Sequence, residues 1–376
     1  MGFFHDMNLL EQKLVKVISE QGPIRFRDFM QVALYDPQYG YYNTPRQKIG
    51  KDGDYYTSSS VHPLFGATLA DAFVRLWQEL GPPGEFNIIE IGAGPGHLAF
   101  DILSTLSSEY PQLFEQTKYL IAEISPIYRS RQAESTREFS DRVAWVTLEH
   151  LQKNPLTGIF FSNELVDALP VHQVRLRGGQ LQERLVDFDG SRLVTLWREP
   201  SSPDLKRYLD EFGIELAEGQ TAEINLDALG WLERVSQAIE QGVLITIDYG
   251  DTADHLYSLT RYDGTLRCFY RHALNDDPLS RIGEQDITAS VNFSALIKRG
   301  QELGLETVEL AGQSDWLIRA GLVERVMRLE QKGATPSEVL KARQALKTLL
   351  LPGCLSDNFR VLVQKKERHG TGKEDG

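Results

Sequence analysis

Seven consecutive residues, Glu90-Ile91-Gly92-Ala93-Gly94-Pro95-Gly96, hold the clearest chemical potential in the chain. They follow the apolar run Phe86-Asn87-Ile88-Ile89 and precede the helical stretch His97-Leu98-Ala99-Phe100-Asp101-Ile102-Leu103. The pattern is strand, glycine-rich turn, helix. Glycine lets a backbone reach conformations and approach distances that a Cβ forbids. A cofactor can therefore lie across the carboxyl edge of an open α/β sheet at such a turn. The spacing is G-x-G-x-G; the dinucleotide form G-x-G-x-x-G wants a small residue where His97 stands. A tight turn with no ligand produces the same pattern. A second apolar run, Lys118-Tyr119-Leu120-Ile121-Ala122, ends at Glu123. A carboxylate at the tip of a second strand can accept both hydroxyls of a ribose. Alternatively, Glu123 caps the helix that Ser125-Pro126 opens.

These residues need a sheet to position them, and the chain supplies its strands. A third strand is read at Val143–Val146, and a fourth runs from Gly158 through Ser162 to Asn163-Glu164. The parallel pattern resumes at Val243–Asp248, and strands at Glu306–Leu310 and Phe359–Val363 complete it. Between residues 171 and 241 the pattern changes. Segments 171–177, 181–188 and 193–197 are joined by Gly178-Gly179 and Asp189-Gly190, which are hairpin signals. Helices over about 204–216 and 226–240 follow. Further helices are expected over 293–303, 316–331 and 336–350. The fold class is thus α/β, a doubly wound sheet with an antiparallel β plus helical insertion and a helical N-terminal leader. The expected division is a leader and cofactor lid over 1–84, a cofactor-binding half over 85–170 and an insertion over 171–241. The rest of the core spans 242–364, and a disordered lysine-rich tail spans 365–376.

The chain has 376 residues, 41% of them hydrophobic, and a net charge of −13. It can bury a large core. The acidic balance argues against nucleic acid as a ligand, because phosphate binding needs a basic surface. No run approaches the ~18 apolar residues of a membrane span. Residues 1–6 carry neither a secretory nor a transit-peptide pattern, so a cytoplasmic protein is expected. Cys268 and Cys354 lack metal-ligand spacing and are expected to stay reduced. His62, His97 and His172 have no partner spacing for a metal either.

The acid before the first glycine resembles motif I of the S-adenosylmethionine (SAM) methyltransferases. Several further segments resemble one family of them, the MidA-like methyltransferases, which include mitochondrial complex I assembly factor 7. They are Ile24–Met30 with the aromatic run Tyr35–Tyr42, Gly53-Asp54-Tyr55-Tyr56-Thr57-Ser58, and Glu90–Gly96. Ser162–Val171, Ile247-Asp248-Tyr249-Gly250 and Gly264–Tyr270 extend the match over nearly the whole chain. The resemblance implies a class I methyltransferase sheet, SAM as methyl donor and an arginine of a protein as acceptor, in mitochondria a respiratory complex I subunit. Glu90, Gly92, Gly94, Gly96, Glu123, Asn163 and Thr57 would then line the cofactor. The family has a His after the Asp286-Ile287-Thr288-Ala289 motif; this chain has Ser290.

Methyl transfer from a sulfonium is an in-line displacement that rewards alignment in a dry pocket. An arginine acceptor needs carboxylates to hold its guanidinium fork. Glu164 and Asp167, after strand four, are the candidates. The competing reading makes Asn163 an N-cap with Glu164 and Asp167 as first-turn dipole acids. Asp248 and Tyr249 are weaker candidates; Asp248 also suits a role satisfying loop backbone donors. The Tyr39–Tyr42 cluster with the Thr57 loop reads equally as a lid over the cofactor or as a packed aromatic cluster. Two further readings remain: a small-molecule O- or N-methyltransferase, and a non-catalytic assembly chaperone that keeps the fold.

Overall fold

The strand Phe86–Ile91 is buried at all six positions. Only a central strand of a sheet covered on both faces can bury such a run. In the computed structural model, which describes residues 7–46, 48, 53–54, 62–81, 84–331, 333–351 and 358–368, this strand is β1. The other main strands of its sheet are β2 (Thr117–Ala122), β3 (Val143–Val146), β4 (Leu156–Asn163), β5 (Ile239–Asp251), β6 (Glu306–Gly312) and β7 (Phe359–Lys366), and the two-residue strand Val291–Asn292 pairs with the end of β5. Their order is β6-β7-β5-β4-β1-β2-β3. β1 runs parallel to β2 and β4, with Ile88 opposite both Tyr119 and Ile159. β4 and β5 are parallel and β6 and β7 antiparallel. This is the doubly wound α/β sheet expected from the sequence.

The chain divides into two compact units that are interleaved in sequence. The sheet unit comprises 57–165, 231–248 and 296–376; the other comprises 1–56, 166–230 and 249–295. The linear division read from the sequence cuts the chain differently, at 84, 170, 241 and 364.

In the sheet unit, Trp77 packs on Phe86 and Phe73 on Phe161, with ring centroids 4.7 and 5.0 Å apart. A Cβ on Gly158 of β4 would meet the Asn87 carbonyl oxygen at 2.4 Å, so glycine permits the β1–β4 approach. A buried ion pair ties two helices together. Arg325, in Leu322–Gln331, donates to both oxygens of Asp71, in Leu64–Glu79, at 2.6 and 2.7 Å.

The other unit has an antiparallel sheet built on Gln180–Phe188. That strand pairs with His172–Arg177, Leu193–Arg198 and Ile24–Arg25. Gly178 and Gly179 take φ of 60° and 73° between Arg177 and its partner Gln180, the tight hairpin the Gly-Gly pair signals. A three-stranded sheet centres on Arg267–Tyr270. One core gathers Leu10, Phe29, Leu34 and Tyr41 from the leader with Val171, Val186, Cys268 and Ile287. The aromatic run is therefore part of this packing: Tyr41 is fully buried, and Tyr42 donates to Asp286 at 2.8 Å.

Three expectations need correction. The helix expected over 316–331 is two helices, Gln313–Ala320 and Leu322–Gln331, separated by Gly321 at φ 100°. A left-handed glycine ends a helix by satisfying its last carbonyls. The helix expected to reach 216 ends at Glu211. The tail is ordered further than expected: β7 continues through Lys365 and Lys366, with Lys365 opposite Glu306 of β6. The ladder partner outweighs the lysines' low strand preference. The remainder of the tail, 369–376, lies outside the described residues.

Candidate active site

The glycine turn opens on the carboxyl end of β1. Gly92, Gly94 and Gly96 all have left-handed backbones, with φ of 74°, 50° and 87°. Side chains rarely adopt that region, so the three glycines are structurally required. Gly96 is also the residue from which the helix His97–Glu109 starts. A Cβ on Gly92 would meet Leu165 Cδ1 at 2.7 Å.

Glu123 follows β2 and is 8% exposed. Its Oε1 accepts from the Ser125 backbone N–H at 2.8 Å, and its Oε2 from Gln132 Nε2 at 3.0 Å. A carboxylate offers about four lone-pair sites. The Ile124 backbone N–H also bonds to this carboxylate, so about one site remains for a ribose hydroxyl. Glu123 thus organises the start of the next helix, as one of its two sequence readings expected. Burial raises its carboxyl pKa, against the opposing hydrogen bonds.

Gln132 is the residue that the sequence did not reveal. It is fully buried, and its Nε2 also donates to the Gly94 carbonyl at 2.8 Å. Its Oε1 accepts from Trp145 Nε1 at 2.9 Å. One amide thus joins the glycine turn, Glu123 and β3. Nothing in local sequence flags a glutamine in mid-helix; only the three-dimensional pairing does.

Glu90 is buried inside β1 and accepts from Tyr119 Oη at 2.6 Å. Burial pushes its carboxyl up to about 7, the tyrosine hydrogen bond opposes this, and the Glu123 charge adds to it.

At the end of β4, Asn163 Oδ1 is buried with no hydrogen-bond donor among the described residues. Its Nδ2 donates to Glu164 Oε1 at 3.2 Å. Glu164 has φ of 51°, one of four non-glycine residues with positive φ among those described. Two contacts fix this turn: Glu164 N–H donates to the Ile247 carbonyl at 2.9 Å, and Leu165 N–H to Asp248 Oδ2 at 3.1 Å. Asp248 is fully buried and serves the loop backbone. Residues held in left-handed conformations cost of order 1–3 kcal/mol and concentrate at functional sites.

Asp167 belongs to the other unit. It is buried in the 3-10 turn Val166–Ala168, and its carbonyl accepts from Ala289 N–H at 2.9 Å. No α-helix lies between Asn163 and the strand at His172, so the N-cap alternative for Asn163 has no helix to cap. Ser290, where the resemblance implied a His, donates its N–H to Thr265 Oγ1 at 3.1 Å. Thr57 lies outside the described residues. Among those described, no group of His, Cys, Asp and Glu is arranged to hold a metal ion, and no helix is long and apolar enough to cross a membrane.

These features fit a SAM-type cofactor. A bare glycine turn, remaining acceptor capacity on Glu123 and the orphaned Asn163 oxygen all lie at the carboxyl ends of β1, β2 and β4. Comparison with known proteins agrees. Residues 68–311 match the model of a family of S-adenosyl-L-methionine-dependent methyltransferases. A mitochondrial protein arginine methyltransferase NDUFAF7 homolog from Drosophila melanogaster is 28% identical, over 95% of this chain and 84% of its own. The Homo sapiens protein arginine methyltransferase NDUFAF7, also mitochondrial, is 26% identical, over 93% and 82%. A solved structure from Burkholderia thailandensis, bound to S-adenosyl-homocysteine, superposes with TM-score 0.86 at 29% identity, covering 96% of this chain and 92% of that one. The relatives' names overturn the cytoplasmic expectation, since both are mitochondrial proteins. That expectation rested on the composition of a few terminal residues, which does not fix a compartment.

Proposed function

This chain belongs to the family of S-adenosyl-L-methionine-dependent methyltransferases, and on that premise we propose that it methylates an arginine side chain of a protein. It is an enzyme, and SAM is its methyl donor. When bound, that cofactor supplies a methyl group already activated by the sulfonium charge. The chain's own residues then hold and align. In this reading Gly92, Gly94 and Gly96 leave room for the cofactor, Glu123 accepts from its ribose and Asn163 offers Oδ1 to a donor. Glu90, buried beneath the turn, sets its shape through Tyr119. Thr57 is retained as a contributor from the sequence pattern.

The observation that carries the acceptor assignment is Glu164. Its carboxylate sits on a strained, doubly anchored turn at the carboxyl end of β4. A carboxylate there can hold a guanidinium by charge-assisted hydrogen bonds and localise its charge, which leaves one nitrogen's lone pair for in-line attack. Asp167 is retained as the companion acid from the sequence pattern. The relatives' names, protein arginine methyltransferase, support the same acceptor. The family resemblance read from the sequence extends this to a respiratory complex I subunit as the target class.

The test is Glu164→Gln, which keeps shape and removes charge. SAM affinity should stay nearly unchanged. Methyl transfer from labelled SAM to an arginine, located by mass spectrometry in a host lysate, should fall at least ~100-fold, about 2.7 kcal/mol of barrier. A wild-type rate in both Glu164→Gln and Asp167→Asn would end the acid-clamp reading. Label on a small molecule in place of protein would favour the alternative acceptor class.

A further inference from the structure

Among the described residues four non-glycine residues have positive φ; Glu164 is one, and the other three, Arg271, His272 and Arg281, fall within eleven positions at φ 47°, 62° and 47°. Arg271 and Arg281 border the ring of Tyr270, from the Gly264–Tyr270 motif, which the methyl-transfer site does not use. Three guanidiniums surround that ring, with Cζ of Arg281, Arg46 and Arg271 at 4.7, 5.1 and 5.3 Å from its centroid. One buried acid builds the arrangement. Asp54, fully buried, accepts from Arg271 N–H at 2.7 Å through Oδ1 and from Tyr41 Oη at 2.8 Å through Oδ2. It also pairs with Arg46, and its carbonyl accepts from His272 N–H at 2.8 Å. Strained backbone persists only where its surroundings over-determine it, and Asp54 does this for the Arg271-His272 turn.

Like charges gathered on one ring repel, and this costs stability. Only Arg46 is neutralised; among the described residues Arg271 and Arg281 form no ion pair with a carboxylate, and both are exposed. The exposed guanidiniums of Arg271 and Arg281 present N–H forks of the kind that match carboxylates bidentately. The surrounding chain carries a net charge of −13, so the patch is a local reversal of sign. We propose that the Arg46–Arg271–Arg281 cluster around Tyr270 is a docking site for an acidic, Asp/Glu-bearing segment of a partner protein. The charge complementarity selects this occupant, and the site is independent of which group is methylated.

Fluorescence anisotropy of the full chain with a fluorescein-labelled oligoglutamate peptide tests this. The peptide should bind at low salt and weaken steeply as sodium chloride rises. Arg271→Ala/Arg281→Ala should lose about tenfold or more in affinity. Arg271→Lys/Arg281→Lys, which keeps charge without the planar fork, should fall between the two. S-adenosyl-homocysteine affinity should be unchanged in both variants. The control is Arg343→Ala/Arg368→Ala, which removes two exposed arginines already paired with Glu330 and Glu240; it should bind the peptide as the wild type does. No binding by the wild type, or equal loss in the control, would overturn the proposal. So would displacement by inorganic phosphate well below the effect of chloride at matched ionic strength, since that marks a small-anion site.

Discussion

Tyr119 donates to Glu90 at 2.6 Å between neighbouring strands, and the pair sits where water cannot reach either group. A carboxyl raised to about 7 in the folded chain, chiefly by burial, binds protons that the unfolded chain has released. Its contribution to stability is fully present below about pH 4.5 and is lost as pH rises through 7. Glu90→Gln removes that dependence. Urea unfolding at pH 5 and pH 8 should show the variant gaining on the wild type at the higher pH, by up to ~3 kcal/mol. An equal difference at the two pH values would mean that Glu90 does not titrate in this range.

Gln132 should act on the cofactor through Glu123. Gln132→Leu removes both donors while keeping bulk. It should weaken S-adenosyl-homocysteine binding by roughly tenfold, with a double-mutant cycle against Glu123→Ala showing clear coupling. If Glu123→Ala leaves affinity unchanged, the ribose assignment fails; if only Gln132→Leu is silent, its positioning role fails. Gln132→Glu adds a readout that lost packing would not give. A protonated glutamic acid can donate again, so its affinity should recover on acidification.

Gly94→Val should abolish SAM binding and leave most of the fold. Gly94 has φ of 50°, a region that β-branched residues avoid, and the substitution adds bulk to the turn proposed to face the cofactor. Calorimetry with S-adenosyl-homocysteine, with circular dichroism as the check on folding, measures both. Unaltered affinity would place the cofactor elsewhere.

Asp71→Ala should destabilise the protein by about 3–5 kcal/mol, because it strands the buried Arg325 guanidinium. Glu109, 3.0 Å from Arg325 Nη1, softens the loss without replacing a bidentate partner. Thermal unfolding of Asp71→Ala beside Glu109→Ala should rank the first well below the second.

Local chemistry made the sheet and the glycine turn readable. A buried parallel strand must be apolar throughout, and a left-handed turn must be glycine, so Phe86–Gly96 declares itself within a few residues. Features that depend on distant partners were not readable. Gln132 meets Gly94 across 38 positions, Tyr42 meets Asp286 across 244, and Arg271 meets Asp54 across 217. The break at Gly321 was hidden for another reason. A glycine inside a helix costs only ~1 kcal/mol, so the apolar period runs across it unbroken. Glu164 was picked out by its place after strand four and by the family pattern, while its left-handed backbone, the physical mark of the position, is invisible in a residue that normally avoids it.

The strand order has a consequence for how the chain comes to be folded. β7 is made after every other described strand, yet it is laid between β5 and β6. Until residues 359–366 have been synthesised, β6 has no seat and β5 keeps an open, apolar edge, the kind of edge that recruits strands from other molecules. Nascent chains shorter than this should therefore be adhesive and in need of shielding, however complete their cofactor turn. A stop codon that removes β7 and the short tail after it, far in sequence from Gly92 and Glu164, should read out as aggregation rather than as slow catalysis.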